Sequence, residues 1–338
     1  MKLCTFEVTT PAGRIRRVGV QSAAGIVDAT SARTVFLEAT LPAEAARRIA
    51  AAQVPADMIA LIGTGQPAID WIAESVKAVV ERGGPSTSDG QTTIYREQDV
   101  RLLAPVPRPT NMANFNVWPE HAKIGASKGF AMNTPNEKDA RVKPYWKGNP
   151  DSVVGPGDEL KFPPYADELD VECELVCIVG TGGRDLSLEQ AAKAIAGYTI
   201  MNDVSAREIQ RIEKKAGRGV SKGKDFDGGN VMGPWLVTSD EIGDVRSLRC
   251  SLHINGEEVS GQDTTAMIWD FAEMLSYMSL GQTIYPGQVI SGGCYPKGSA
   301  LDLDRSLHSG DVIELRISKI GSLTCTIGPK PERLAYPL

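Results

Sequence analysis

The chain has 338 residues and a net charge of −6, and 42% of its residues are hydrophobic while 23% are charged. This composition is typical of a globular protein that can bury a large core and form two domains. The negative charge argues against a nucleic-acid partner. The chain has no apolar run near the roughly 20 residues that cross a membrane, and it begins without the apolar core of a secretory signal. We therefore expect a cytoplasmic protein that binds neither nucleic acid nor membrane.

The first hundred residues predict a small domain of strands and helices. The predicted strands are residues 2–9, 15–20 and 25–28, and the predicted helices are residues 43–52 and 68–80. A proline-rich run then follows at residues 103–109, and repeated prolines favour an extended backbone. We place a domain boundary there, which divides the chain into segments 1–105 and 106–338.

Beyond the proline-rich run, strand-length apolar stretches alternate with turns that contain glycine and proline. The predicted strands are residues 159–163, 170–179, 233–238, 249–255, 287–291 and 311–317, and the predicted helices are residues 187–196, 202–214 and 267–279. Ser187 and Gln190 have the spacing of a capping box at the start of one helix. Strands and helices in this irregular order predict a β-rich α+β fold rather than a series of βαβ units.

The cysteines and histidines indicate which metals the chain can hold. Its six cysteines are scattered, without a Cys-x-x-Cys pair, so we expect reduced and largely buried thiols. Of its three histidines, His253 and His308 are predicted to be structural. Any metal would therefore be held mainly by oxygen.

Carboxylates at two places in the chain predict such an oxygen site. Residues 171–178 alternate as a strand whose apolar face carries Val171, Cys173 and Leu175 and whose other face begins with Glu172 and Glu174. Because these two carboxylates share one face, they can act together.

A third carboxylate follows thirty residues later. On a helix over residues 202–214, Asp203, Arg207 and Gln210 would share one face, with Asn202 as the helix cap. Converging carboxylates beside a cation and an amide suit a hard divalent metal and an anionic substrate. The alternative is a solvated strand face beside an ordinary acid at a helix start.

Three motifs in this order resemble the fumarylacetoacetate hydrolase superfamily: residues 170–180, residues 201–210, and residues 223–226 followed by residues 233–235. The resemblance covers roughly residues 105–330. It implies the curled, mixed β-sheet (β-roll) fold of that family for this part, after a smaller N-terminal α/β domain, and a homodimer.

The resemblance also implies a role for each site residue. Glu172, Glu174 and Asp203 would bind Mg²⁺ or Mn²⁺, and Ca²⁺ is also compatible with these ligands. Arg207 and Gln210 would orient the acid group of the substrate.

Two further residues have implied catalytic roles. Lys224 would stabilise an enolate. Residues 114–122 resemble the family segment that carries a catalytic histidine, so His121 is the expected general base.

The chain also departs from the family pattern. Asn114 stands where fumarylacetoacetate hydrolases have an aspartate ligand, and Asn116 where they have a tyrosine. Ile124 replaces a glutamate that assists the histidine in smaller members, and Gly293 replaces an expected threonine. The metal platform is therefore retained more clearly than the residues that activate water.

These residues predict a metal-dependent enzyme that hydrolyses a carbon–carbon bond in a small β-dicarbonyl or acylpyruvate-like oxo acid. Ile124 keeps a second reaction class open, in which an isomerase, decarboxylase or dehydratase acts on a 2-oxo acid through an enolate. A non-catalytic metabolite-binding protein is a third alternative. The stretch from Phe130 to Trp146 is a candidate for contact with the distal part of the substrate, as a lid around residues 135–139, and the alternative is a simple exposed insertion.

Overall fold

The computed structural model describes residues 1–130, 141–217 and 219–334. The helices in these residues are α1 (Ala29–Glu38), α2 (Ala43–Gln53), α3 (Met58–Gly63), α4 (Gln66–Glu81), α5 (Pro119–Ser127), α6 (Leu188–Ala194), α7 (Arg207–Lys215), α8 (Ser239–Ile242) and α9 (Phe271–Ser279). The strands are β1 (Lys2–Thr10), β2 (Gly13–Ser22), β3 (Gly25–Asp28), β4 (Ile94–Tyr95), β5 (Arg101–Leu102), β6 (Asn111–Phe115), β7 (Tyr145–Lys147), β8 (Val153–Val154), β9 (Leu169–Asp170), β10 (Glu172–Val179), β11 (Ile195–Asp203), β12 (Ser205–Ala206), β13 (Asn230–Thr238), β14 (Arg249–Ile254), β15 (Glu257–Asp263), β16 (Gln288–Ser299), β17 (Val312–Ile317) and β18 (Gly321–Thr326).

A large mixed sheet runs through the molecule in the order β4-β3-β2-β1-β13-β11-β10-β16-β6-β7. Its neighbours are mostly antiparallel, but β6 is parallel to β16 and β8 is parallel to β13. A second, antiparallel sheet has the order β15-β14-β17-β18. The predicted β-rich α+β fold is confirmed. The domain boundary near residue 105 stays a prediction, and β1 extends the same sheet as β13.

Strand β10 lies at the centre of this sheet and is buried on both faces. Cys173, Leu175 and Cys177 belong to the core shared with the second sheet. Val176 and Ile178 belong to the core on the other face, which also contains apolar residues of α3 and α4. The alternation predicted from the sequence therefore sorts the β10 side chains into two cores, and the two glutamates begin the second of these faces.

One predicted helix was wrong in its first turn. Asn202 and Asp203 are paired with Val231 and Asn230 of β13, so their backbone belongs to the sheet and the helix begins only at Arg207. Asn202 is not a helix cap. Its Oδ1 instead accepts the backbone N–H of Glu172 at 3.1 Å.

Of two other predicted features, one is present in the structure and one was wrong. The capping box of Ser187 and Gln190 is present at the start of α6. The predicted strand at 159–163 was wrong, because only Leu160 makes a bridge there, with Ile327. No helix among the described residues combines the length and the apolar character that a bilayer crossing requires.

Candidate active site

The three predicted metal ligands converge at the ends of two paired strands. Glu172 and Glu174 begin β10, and Asp203 ends its antiparallel neighbour β11. The register pairs Cys173 with Asn202, so Asp203 comes opposite Glu172 and diagonal to Glu174. One oxygen from each carboxylate lies within 4.8 Å of the other two. All three side chains are buried.

Strand β16 is irregular where it passes these carboxylates. Its register against β10 shifts on both sides of Glu174, and Gly293 within it has a φ of 81°. A Cβ at Gly293 would collide with the carbonyl oxygen of Phe115. A threonine at this position would be strained, so the bulge accounts for the departure from the family pattern.

Two cations are held among the carboxylates. Lys224 Nζ lies 2.6 Å from Glu172 Oε2 and 2.6 Å from Asp203 Oδ2. Arg207 Nη2 donates to Glu172 Oε1 at 2.7 Å, and Arg207 Nε donates to Asp170 Oδ2 at 2.7 Å. Asp170, which the sequence analysis missed, is thus a fourth buried carboxylate. When all are ionised, four carboxylates face two cations.

Arg207 also positions Gln210, which lies on the same face of α7. Arg207 Nη1 donates to Gln210 Oε1 at 2.9 Å, which leaves Gln210 Nε2 available as a donor in the cavity. The loop that carries Lys224 packs closely here, since a Cβ at Gly223 would collide with the Gln210 side chain. The glycine therefore lets Lys224 reach the carboxylates.

The buried charges perturb one another. Burial raises the pKa of Asp203 to about 6, although the charge of Lys224 opposes the rise. Burial, together with the charges of Asp203 and Glu172, raises the pKa of Glu174 well above its usual range. Burial would also raise the pKa of Glu172, but the charges of Arg207 and Lys224 outweigh it and lower that pKa. Burial is thus the main cause of the raised pKa values of Asp203 and Glu174, and repulsion among the carboxylates adds to it.

The same cluster fits a hard divalent cation. Among the described residues no donor reaches the buried Asp203 Oδ1, while its Oδ2 accepts from Asn114 Nδ2 at 3.0 Å. A buried acceptor without a partner is uncommon in folded proteins. Three converging carboxylates, two surplus negative charges and this oxygen match the ligand preference of Mg²⁺, Mn²⁺ or Ca²⁺.

A second group of possible ligands consists of His121, Glu172 and Cys294. One ligand atom from each of these residues lies within 4.8 Å of the other two. Burial, followed by the charges of Glu172 and Asp302, raises the pKa of the Cys294 thiol well above its usual range. Because the thiolate is the ligand form of cysteine, this group is the poorer metal site.

His121 has a carboxylate partner that the sequence did not reveal. Pro119 starts α5, and His121 follows on its buried side. His121 Nδ1 lies 2.7 Å from Asp302 Oδ2, which also accepts the backbone N–H of Lys297 at 3.0 Å. Asp302 thus gives His121 the carboxylate partner that a glutamate provides in smaller family members, where this chain has Ile124. Since His121 lines the cavity, Nε2 is the nitrogen left to meet a ligand.

The two asparagines that depart from the family pattern both act as donors. Asn114 Nδ2 donates to the Glu174 oxygens at 3.1 and 2.9 Å, so Asn114 faces the carboxylates through nitrogen rather than oxygen. Asn116 Nδ2 is buried, no acceptor in the described part of the chain reaches it, and its side chain lines the cavity. Asn116 is therefore a donor for a ligand oxygen.

These residues surround one cavity of about 310 Å³. It brings together every site residue predicted from the sequence: Glu172, Glu174, Asp203, Arg207, Gln210, Lys224 and His121. Phe130, Tyr145 and Trp146, at the ends of the stretch predicted to contact the substrate, also line it. Residues 131–140, including the possible lid at 135–139, lie outside the described residues. The volume suits a small acid.

Comparison with known proteins finds relatives of this chain in one family. The model of the fumarylacetoacetate (FAA) hydrolase C-terminal domain matches residues 112–328. The human mitochondrial oxaloacetate tautomerase FAHD2A is 31% identical over 233 residues, which are 68% of this chain and 70% of that protein. The 2,4-didehydro-3-deoxy-L-rhamnonate hydrolase of a Sphingomonas species is 38% identical over 173 residues, which are 51% of this chain and 60% of that protein.

Solved structures show the same fold. Fumarylacetoacetate hydrolase from Exiguobacterium antarcticum has a TM-score of 0.67 and 25% identity, covering 97% of this chain and 99% of that one. Fumarylpyruvate hydrolase from Pseudomonas aeruginosa, in complex with Mn²⁺ and pyruvate, has a TM-score of 0.56 and 25% identity, covering 65% of this chain and 90% of that one.

Metal binding should depend on pH through Asp203. Because its pKa is raised to about 6 in the metal-free fold, the folded protein binds this proton more tightly than the unfolded chain. The stability that this proton gives is complete below about pH 4 and is lost as the pH rises through the folded value. A divalent cation competes with the proton, so Mn²⁺ should raise the melting temperature more at pH 7 than at pH 5. Thermal unfolding with Mn²⁺ or with a chelator measures this difference.

Asp203→Asn provides the control, since it removes the titrating carboxylate and should abolish most of the pH-dependent gain. Equal stabilisation of the unaltered protein by Mn²⁺ at both pH values would contradict the metal assignment.

Proposed function

Because the chain belongs to the fumarylacetoacetate hydrolase family, we propose that it is a metal-dependent hydrolase that cleaves a carbon–carbon bond in a small 2,4-dioxo acid of the acylpyruvate class. The observation that carries this proposal is the His121–Asp302 pair, which meets the carboxylate cluster in one cavity. The family includes hydrolases, isomerases and tautomerases, so the proposed reaction rests on the site rather than on the fold.

The proposed cofactor is Mg²⁺ or Mn²⁺, held by Glu172, Glu174 and Asp203. Such an ion supplies Lewis acidity toward the two oxo groups of the substrate. Its charge would match the two surplus negative charges of the cluster. The related fumarylpyruvate hydrolase, which holds Mn²⁺ together with pyruvate, supports this choice.

The side chains around the cluster would orient the substrate. Gln210 Nε2 and Asn116 Nδ2 are donors in the cavity and can bind carboxylate or oxo oxygens. Arg207 is engaged by Asp170, Glu172 and Gln210, so it contributes mainly charge and the orientation of the Gln210 amide.

The proposed chemistry begins at His121, which takes a proton from water through Nε2 as the oxygen of that water attacks the C4 carbonyl carbon. Collapse of the adduct breaks the C3–C4 bond, and the electron pair moves into the C2 carbonyl to form the enolate of pyruvate. The Lys224 ammonium offsets the developing negative charge. The His121 imidazolium returns the proton to C3, so the products are pyruvate and a carboxylic acid.

A tautomerase is the second candidate. The resemblance to oxaloacetate tautomerase FAHD2A favours it, since that protein is 31% identical over two thirds of this chain. The residues required are the same, because His121 would then move a proton between carbon and oxygen without adding water.

The first test is turnover of acetylpyruvate with Mn²⁺ in ¹⁸O-labelled water. Hydrolysis predicts pyruvate together with acetate that contains the label. Glu172→Gln and Glu174→Gln should each lower kcat/KM by roughly 100-fold or more, since Lewis-acid stabilisation is worth several kcal/mol. Full metal-dependent turnover by either variant would refute the assignment of these ligands. Interconversion of oxaloacetate tautomers without cleavage of acetylpyruvate would favour the second candidate.

A separate prediction concerns Asp302. Asp302→Asn should lower kcat by roughly 10- to 100-fold with little change in KM, because the carboxylate orients His121 and stabilises its charged form. Asp302→Glu should recover part of the loss. Steady-state kinetics measures both, with Asp304→Asn as the control because Asp304 is exposed and pairs with Lys128 at the surface. A wild-type kcat for Asp302→Asn would show that His121 does not depend on this pair.

A further inference from the structure

The second group of ligands differs from the carboxylate cluster in its chemistry. His121, Glu172 and Cys294 offer one nitrogen, one oxygen and one sulfur, and all three side chains are buried. Nitrogen and sulfur are the ligands of borderline-soft ions such as Zn²⁺, whereas Mg²⁺ and Mn²⁺ prefer oxygen. The proton on the Cys294 thiol makes this group the poorer site for a hard ion, but an ion with a high affinity for sulfur displaces that proton.

The three ligand atoms are close enough to meet at one ion. With bonds of about 2.3 Å to sulfur and about 2.0 Å to nitrogen or oxygen, the ligand atoms of a tetrahedral zinc site lie about 3.3–3.6 Å apart. The observed limit of 4.8 Å is within about 1.5 Å of this spacing, a difference that small side-chain rotations close. Cys294 follows Gly293 on the irregular part of β16 and lines the cavity, so an ion reaches the sulfur from the cavity.

The surroundings of His121 are those of a metal ligand. Its Nδ1 lies 2.7 Å from Asp302 Oδ2, which leaves Nε2 as the nitrogen that can bind an ion. Histidines that bind metals usually donate their other ring N–H to a carboxylate in this way, which fixes the ring and makes it a stronger ligand. The Glu172 oxygens accept from Arg207 and Lys224, but each oxygen keeps a further lone pair for a metal.

We infer that His121, Glu172 and Cys294 form a second metal site, which takes Zn²⁺ and thereby inhibits the reaction. The Cys294 thiol loses its proton to solvent as the Zn–S bond forms, and a water molecule completes the four-coordinate shell. Glu172 has two oxygens, so it can bridge this ion and an ion held by the carboxylate cluster. The bound Zn²⁺ occupies Nε2, the nitrogen through which His121 acts in the proposed mechanism. Binding needs only this geometry, whereas inhibition also rests on the function proposed above.

Co²⁺ is the probe for the site itself, because a Co²⁺–thiolate bond gives an intense near-ultraviolet charge-transfer band that oxygen ligands do not give. With saturating Mn²⁺ present to fill the carboxylate cluster, added Co²⁺ should produce this band, and Zn²⁺ added afterwards should remove it. Cys294→Ser and Cys294→Ala should both lack the band while keeping the thermal unfolding transition of the unaltered protein. Cys325→Ser, which changes a buried thiol outside the cavity, is the matched control and should keep the band. The site is refuted if no band appears or if the Cys294 variants keep it.

Inhibition is measured on acetylpyruvate cleavage and on oxaloacetate tautomerisation at saturating Mn²⁺, with each variant compared with its own rate without Zn²⁺. Zn²⁺ should inhibit the unaltered protein and Cys325→Ser, and excess Mn²⁺ should not relieve the inhibition. Cys294→Ser should need about 10-fold or more Zn²⁺ for half inhibition, since even an outer-shell partner contributes about 10–100-fold to metal affinity.

Two other results separate this inference from the proposed function. Equal inhibition of Cys294→Ser, relieved by excess Mn²⁺, would show that Zn²⁺ acts in the carboxylate cluster and would overturn the inhibitory role of the second site. A Co²⁺–thiolate band that depends on Cys294, in a protein that turns over neither acid, would establish the second metal site and refute the proposed function.

Discussion

Negative charge buried between β10 and β11 is the constraint on which the site depends. Carboxylates removed from water are costly unless cations and donors surround them. Here the cations come from two other places in the chain, Arg207 at the start of α7 and Lys224 in the loop after it. Their charges still leave the cluster negative when all four carboxylates are ionised, and burial together with the charges of Asp203 and Glu172 raises the pKa of Glu174. A cluster arranged in this way has room in its charge balance for a further cation, and its converging carboxylate oxygens suit a divalent metal.

Local patterns in the sequence were sufficient to predict the strand that carries Glu172 and Glu174. The period of two placed both carboxylates on one face, and the structure agrees because β10 is buried along its length and its side chains alternate between two cores. The same reasoning predicted correctly that Asp203 meets the two glutamates, but it placed Asp203 on a helix rather than on a strand. Residues 202–206 read equally well as a helix start, and only pairing with β10 and β13, at other places in the chain, makes residues 202 and 203 part of a strand. Local propensity cannot contain that information.

The partners of the catalytic side chains were harder to predict, because they are distant in sequence. Asp302 lies 181 residues from His121, in a short turn whose sequence has no feature that points to a histidine. The sequence showed that Ile124 stands in place of a glutamate that assists the histidine. It did not show that Asp302 provides this carboxylate instead. The orientation of Asn114 is a similar case, since the carboxylates that its amide meets are 60 and 89 residues away. Sequence reasoning found the residues that meet in the cavity and missed the side chains that orient them.

The two candidate reactions differ less in the protein than in the substrate. Both need an enolate stabilised beside the carboxylate cluster and a base at His121. A 2,4-dioxo acid has a ketone at C4, which water can attack, so formation of the enolate can be coupled to bond cleavage. Oxaloacetate has a carboxylate at that carbon, which is a poor electrophile for water, so hydrolytic cleavage is disfavoured and protonation of its enolate interconverts the tautomers. In the proposed mechanism, His121 and Lys224 would serve hydrolysis of a 2,4-dioxo acid and tautomerisation of oxaloacetate alike, so the group at C4 of the substrate would decide which reaction takes place.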